Sequence, residues 1–356
     1  MNRTLRFIGR APPGVRRRLA AAVFALAVCA YAGAQQAPSL RDTAARQVSA
    51  PSQPSALRTD VAALNLRIKK AVTGIVQVNH FLTGFDEQGQ PLPVRSIDPA
   101  GIVYSEPLGA LLIADSEITE VEPVFALVGA TLFATPSTGE VTLQQWDLSQ
   151  FTGNEPFRNR ESTGIAYCPS DQHYYITNDD LDLIFRYAFD GATFTAVDSI
   201  STIGATSDPE GITCATDSAT LYVIGGVDAN ISVYRYEAGF VLQQVLDLAQ
   251  TAQNPAGVLF DAEGIAFDEI TGHLFVLSDP DESIIEYQRN GRFVRRYDIS
   301  GFVPEPLAPQ GLTIGPSSTL PGRQSFYITD GGFDNDQVPD ETDGTIYEAL
   351  IERVGN

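Results

Sequence analysis

The sequence predicts an all-β fold: a β-propeller of four-stranded blades, its ring closed by an N-terminal strand. Three observations predict it. A glycine-centred segment recurs five times along the chain. Each recurrence opens a series of short runs in which β-branched and aromatic residues alternate with polar ones, punctuated by Gly, Pro, Asp and Ser. No long stretch of the body carries the apolar period of a helix.

The recurring segments are "DPAGIVYSEPLGALLIADSE" from Asp98, "ESTGIAYCPSDQHYYITNDD" from Glu161, "DPEGITCATDSATLYVIGGVD" from Asp208, "DAEGIAFDEITGHLFVLSDPD" from Asp261 and "APQGLTIGPSSTLPGRQSFYITDGG" from Ala308. Their glycines are Gly101, Gly164, Gly211, Gly264 and Gly311. In the fourth unit four strands are predicted: "GIAFD", "HLFVLS", "SIIEYQ" and "RFVRRYDI". Four strands in a unit of about 45–50 residues is the pattern of a propeller blade. The last unit has three strands, and "VTGIVQVNHF" (72–81) is a strand without a unit of its own. It is expected to complete the last blade and cover its edge. Five blades are favoured over six, the alternative being that 71–100 holds most of another. The propeller domain is placed at 71–356.

The N-terminal segment has a different character. "MNRTLRFIGRAPPGVRRR" is basic, and "LAAAVFALAVCAYAGA" is apolar and ends with Ala32 and Ala34 in cleavage-site spacing. Residues 1–34 are therefore expected to be a signal peptide, leaving an extracytoplasmic chain, periplasmic or secreted, with no integral membrane segment after cleavage. Lipidation at Cys29 is the alternative, and Arg16 to Arg18 hint at twin-arginine export. Residues 35–70, rich in Ala, Ser, Gln and Pro, read as a flexible linker with a short helix near 58–68.

Charge divides the same way. The chain has 23 basic and 44 acidic residues. Residues 71–356 hold 11 of the basic and 42 of the acidic ones, a net −31, and both lysines precede them. Such a body repels nucleic acid and anionic membranes and attracts cations. Cys168 and Cys214 fall one register step apart in successive repeats, which points their side chains to opposite faces of a strand. Two buried thiols are expected, with a disulfide as the alternative.

The acids gather by topology. The first two strands of a blade form a hairpin, so residues before each glycine meet residues after the second strand. Around the ring this places Asp98, Asp208, Glu210, Asp261 and Glu263 with Asp115, Asn178, Asp179, Asp279 and Asp330 at one mouth of the channel. The Asp three positions before a glycine reads as a turn residue, with the glycine supplying a special dihedral. Glu210 and Glu263 read differently, because Glu is a poor turn former and the other repeats carry Ala100, Thr163 and Gln310. Crowded carboxylates need a cation or protons, and an oxygen-only set suits Ca²⁺. The expected ligands are Glu210, Glu263, Asp279 and Asp330, with Asp334 and Asp336 of "DGGFDNDQVPDETDGTIYE" (330–348) as a competing loop site. His173 and His273 fall in the hairpin turns at the far end, and His80 in the expected closing strand, so no histidine base is expected beside the acids.

These residues resemble secreted bacterial propellers related to the gluconolactonase-like, NHL-repeat and SdiA-regulated families. The resemblance covers about 95–350 and is most specific in "DSEITEVEPVFALVGATLF" (115–133) and "YITDGGFDNDQVPDETDGTIYE" (327–348). It implies that a Glu before the inner-strand glycine ligates a central divalent metal, which falls on Glu210 and Glu263. The relatives' Asn-Gly ligand is replaced here by Thr163-Gly164 and Gln310-Gly311. The expected function is a Ca²⁺-stabilised module binding a small molecule or protein at the acidic mouth. The alternative is a metal-dependent hydrolase of lactone or ester bonds, less readily of phosphoesters, with Glu263 or Asp279 as base.

Overall fold

The computed structural model describes residues 64–73, 96, 98–119, 129–139, 142–150, 158–226, 229–236, 239–249, 261–302, 305–332 and 345–353. They form twenty strands in five antiparallel sheets of four. Blade I is β2 (Pro99–Ser105), β3 (Ala110–Asp115), β4 (Leu132–Thr135) and β5 (Gln144–Trp146). Blade II is β6 (Ile165–Cys168), β7 (His173–Asn178), β8 (Leu183–Phe189) and β9 (Phe194–Ser201). Blade III is β10 (Ile212–Ala215), β11 (Thr220–Val223), β12 (Asn230–Tyr236) and β13 (Phe240–Asp247). Blade IV is β14 (Ala262–Asp268), β15 (His273–Ser278), β16 (Ser283–Gln288) and β17 (Phe293–Asp298). Blade V is β18 (Pro309–Pro316), β19 (Gln324–Asp330), β20 (Thr345–Arg353) and, pairing outside β20, β1 (Leu64–Thr73).

An N-terminal strand thus closes the last blade, but it is 64–73 and not 72–81. Leu64 pairs with Arg353 and Thr73 with Thr345. Residues 64–70, expected within the linker and partly in a short helix, are extended strand. In this register Lys70 falls opposite Glu348 and Asn65 opposite Glu352. Residues 74–81, the signal segment and the remainder of the linker lie outside the described residues.

Burial follows strand position. The inner runs "ALLIAD" and "HLFVLS" are buried on both faces because a neighbouring blade covers each face. The outer strand β13 is exposed along most of its length. Apolar clusters fill the five spaces between blades. Leu112 and Leu132 meet Tyr174 and Ile176 between I and II. Ala166 and Tyr175 meet Ile212 and Leu221 between II and III. Ile224 and Val233 meet Ile265 and Val276 between III and IV. Phe275 and Leu277 meet Phe326 and Ile328 between IV and V. Ile102 and Ile113 meet Tyr327 and Ile346 between V and I. Five sheets and five filled spaces make a closed ring of five, which excludes the six-blade alternative. Each buried Leu, Ile or Phe in these spaces contributes about 1.5–3 kcal/mol.

The repeat glycines serve a different purpose from the expected one. None of the five has a positive φ. Instead, a Cβ on Gly101 would overlap the backbone at Thr163 and Gly164, and one on Gly164 would overlap the Glu210 carbonyl. On Gly211 it would meet the Glu263 carbonyl, on Gly264 that of Gln310, and on Gly311 that of Ala100. Each glycine lets its inner strand touch the inner strand of the next blade, and the contacts run once around the ring. The special dihedrals belong to the acids before them: Asp208 and Asp261 both have φ 61°, a conformation Asp tolerates.

The cysteines are joined. Cys168 and Cys214 form a disulfide with Cα atoms 5.4 Å apart. The register argument is correct within one strand and misleads between two. Blades stack face to face, so side chains on opposite faces of successive sheets point at each other. Both sulfurs lie in the apolar cluster between blades II and III.

Candidate functional site

The mouth is built from the N-terminal ends of β2, β6, β10, β14 and β18 and the C-terminal ends of β3, β7, β11, β15 and β19. The pairings Pro99 with Asp115, Ala262 with Ser278 and Pro309 with Asp330 set these ends side by side. His173 and His273 pair with Cys168 and Asp268 at the opposite ends of their hairpins.

The polar residues that terminate the second strands are architectural. Asp115 accepts hydrogen bonds from Ser96 Oγ (2.7 Å), the Asp98 N–H (3.1 Å) and the Ile118 N–H (2.9 Å). Asp330 accepts from the N–H groups of Leu307 (2.8 Å), Ala308 (2.8 Å) and Gly332 (3.0 Å). Asn178 Oδ1 accepts from the Leu181 N–H (2.8 Å), and its amide donates to Asn159 Oδ1 (2.9 Å). These side chains satisfy turn donors that burial would otherwise strand.

Two threonines bind the inner strands together. Thr177 Oγ1 donates to the Glu210 carbonyl (2.7 Å) and accepts from the Gly164 N–H (2.6 Å). Thr329 Oγ1 repeats this with the Ala100 carbonyl (2.6 Å) and the Gly311 N–H (2.8 Å). Neither was singled out in the sequence, although "YITN" and "YITD" stand at matching places in the second and fifth repeats. Thr177 fixes the backbone of Glu210 against blade II and thereby its approach to that blade's acids.

The carboxylates collect into two foci. Asp179 of blade II, with Asp208 and Glu210 of blade III, places one ligand oxygen from each residue within 4.8 Å of the others. Among the described residues this is the one such trio. Glu210 is 7 % exposed, Asp179 half-buried and Asp208 exposed, so the focus opens from protein to solvent. Asp208 is held by donating its N–H to Asp182 Oδ1 (3.1 Å). The second focus surrounds Asp279. Burial, then the charges of Asp261, Asp330 and Glu282, push its carboxyl up to about 7. Glu263 occupies on blade IV the ring position that Glu210 occupies on blade III, but it is not part of the trio. The expected grouping of Glu210, Glu263 and Asp279 is therefore divided between two places. Asp179 and Asp208, read as mouth acids but not as ligands, join Glu210 instead. Asp334 and Asp336 lie outside the described residues. At the same ring position on blade V, Gln310 has a buried Oε1 with no hydrogen-bond partner among the described residues.

Oxygen-only donors on two adjacent blades can hold a hard cation, with positions left for water or a ligand oxygen. Among the described residues, no helix is long and apolar enough to cross a membrane.

No family model matches the sequence, and no curated protein matches it. Solved structures do. The nidogen/laminin complex is similar at 17 % identity over 65 % of this chain and 72 % of that chain, with a TM-score of 0.39. A protein named as a 6-phosphogluconolactonase from Bacteroides uniformis is similar at 16 % identity over 69 % and 72 %, with a TM-score of 0.39. A luciferin-regenerating enzyme is similar at 12 % identity over 71 % and 91 %, with a TM-score of 0.43.

Proposed function

We propose that this five-bladed propeller is an extracytoplasmic binding module whose acidic mouth holds Ca²⁺, and that a small molecule or protein partner docks on the bound ion. The observation that carries the reading is the trio Asp179, Asp208 and Glu210, contributed by two blades. Three carboxylates fall short of the six to eight oxygens that Ca²⁺ takes, so a partner's oxygens can complete the shell. Bridging two blades also makes the ion a clamp, bound by the ring and not by the unfolded chain. The disulfide is consistent with an oxidising compartment.

Calorimetric titration of the EDTA-treated protein tests this. Saturable Ca²⁺ binding is expected, with Mg²⁺ weaker because it demands tighter geometry. At a hundredfold excess over Kd the ion contributes about 2.7 kcal/mol, a rise of a few degrees in Tm. Asp208→Asn keeps the left-handed backbone and removes a ligand charge, so binding should weaken without unfolding. No Ca²⁺ heat and no Tm response would leave the mouth a solvated acidic surface. A response abolished by Asp334→Asn with Asp336→Asn, but kept in Asp208→Asn, would move the ion to the loop.

The second reading, hydrolysis of a lactone or ester, draws on Asp279. A half-buried carboxyl pushed up to about 7 by desolvation and neighbouring acids suits a general acid or base. Turnover of a lactone and ester panel, lost with EDTA or in Asp279→Asn, would favour it over a binding module.

A further inference from the structure

The end of the channel opposite the acidic mouth holds a cavity of about 100 Å³. All five inner strands line it, so it lies on the ring axis. The mouth acids precede the repeat glycines, whereas this lining comes two, three and five residues after them. Between the two ends lies the ring of glycines, where neighbouring inner strands touch. The cavity is thus a place of its own, built by the same repeat register.

Its chemistry has one sign. No lysine or arginine lines it, while Glu106 and Glu269, both exposed, stand on its rim. Arg289, which packs behind Phe267 with its guanidinium 4.5 Å from the ring centroid, is paired with Asp217 at 2.6 Å. The half-buried Tyr104 and Tyr167 supply aromatic walls. Burial, then the charges of Glu106 and Asp171, push the Tyr167 hydroxyl up, so its ring stays neutral and electron-rich. Deeper in are two hydroxyls, Thr213 and Thr313. Each accepts a backbone N–H from another blade, Phe267 (3.2 Å) and Tyr104 (3.3 Å), which turns its oxygen to the strand and leaves its proton to donate. Two carboxylates above two tyrosine rings suit a positive charge. Two hydroxyl donors below suit a polar oxygen on the same small molecule.

We infer that this cavity is a second ligand site, separate from the acidic mouth, which takes a small organic ammonium ion carrying a hydroxyl or similar oxygen.

Choline is a probe of this class, and its neutral carbon isostere dimethylbutanol has the same shape without the charge. Titrating each into the full chain, followed by NMR of the tyrosine ring signals and by calorimetry, separates charge from shape. Saturable binding of choline is expected in the millimolar range or tighter, with the isostere weaker by about tenfold or more. Glu106→Gln with Glu269→Gln, both at exposed positions, should weaken choline by about tenfold and leave the fold intact by circular dichroism. Tyr167→Leu should weaken it independently of the rim charge. Asp208→Asn and EDTA should leave it unchanged, which separates this site from a cation at the mouth. Absence of saturable choline binding would overturn the inference. So would equal binding of the isostere, or binding kept in the double Gln variant.

Discussion

Asp279→Asn should stabilise the metal-free protein, and the gain should depend on pH. Asp279 opens the turn between β15 and β16 of blade IV, where burial first, then Asp261, Asp330 and Glu282, raise its carboxyl from 3.8 to about 7. The folded state therefore binds a proton that the unfolded chain releases between those two values. Stability contributed by the protonated group is fully present below pH 3.8 and is lost as pH rises through 7. Above pH 7 the native state carries the full penalty of an ionised Asp279, on the order of 4 kcal/mol as a ceiling before the site relaxes. Asparagine keeps the shape and never ionises. Its advantage over the parent should be near zero at pH 4, grow through pH 5 and 6, and level off by pH 8. For a domain of this size, each kcal/mol shifts Tm by about 2–4 °C, so a gap of several degrees is expected at pH 8. Thermal denaturation by circular dichroism in EDTA, from pH 4 to 8, reads it directly. A gap independent of pH, or an asparagine variant less stable throughout, would refute the reasoning that burial and repulsion dominate at this carboxyl.

Two further predictions concern the ring. Gly164→Ala should destabilise the protein by about 1–3 kcal/mol or more, because its Cβ would overlap the Glu210 carbonyl and lie 2.7 Å from Thr177 Oγ1. The control Gly109→Ala, at φ 60° with open space around it, should cost only about 1 kcal/mol, and equal losses in denaturant titrations would disprove the inter-blade contact. The Cys168–Cys214 bond closes a separation of 46 residues and should be worth about 2–4 kcal/mol. Non-reducing peptide mapping should recover the linked pair, and reduction should lower Tm; two free thiols in protein purified without reductant would contradict the bond.

The repeat was legible because a blade is a local object. Its strands alternate, its turns use Gly, Pro, Asp and Ser, and its hairpin brings the residues before "GI" beside those after "VLS" without reference to any other blade. The all-β class, the five repeat glycines, the end of the channel where the acids collect and the far-end histidines all followed from that. What the sequence left open depends on how blades meet. The five glycines gave no sign that each faces its neighbour's backbone, since a glycine reads the same whether it frees a dihedral or admits a strand. Cys168 and Cys214 looked divergent because facing sheets reverse the sense of "opposite". Asp179 joins Glu210 across a blade boundary that no local pattern marks, whereas for Glu263, the look-alike of Glu210 by motif, the repeat position matching Asp179 in the preceding blade is Gly226, which has no side chain to complete a trio. The outer partner of β20 is the strand 64–73, a pairing between residues far apart in the chain that no local pattern marks. Contacts within a repeat are a few residues apart and leave a periodic trace in the sequence. Contacts between repeats join positions some fifty residues apart, or both ends of the chain, and leave none.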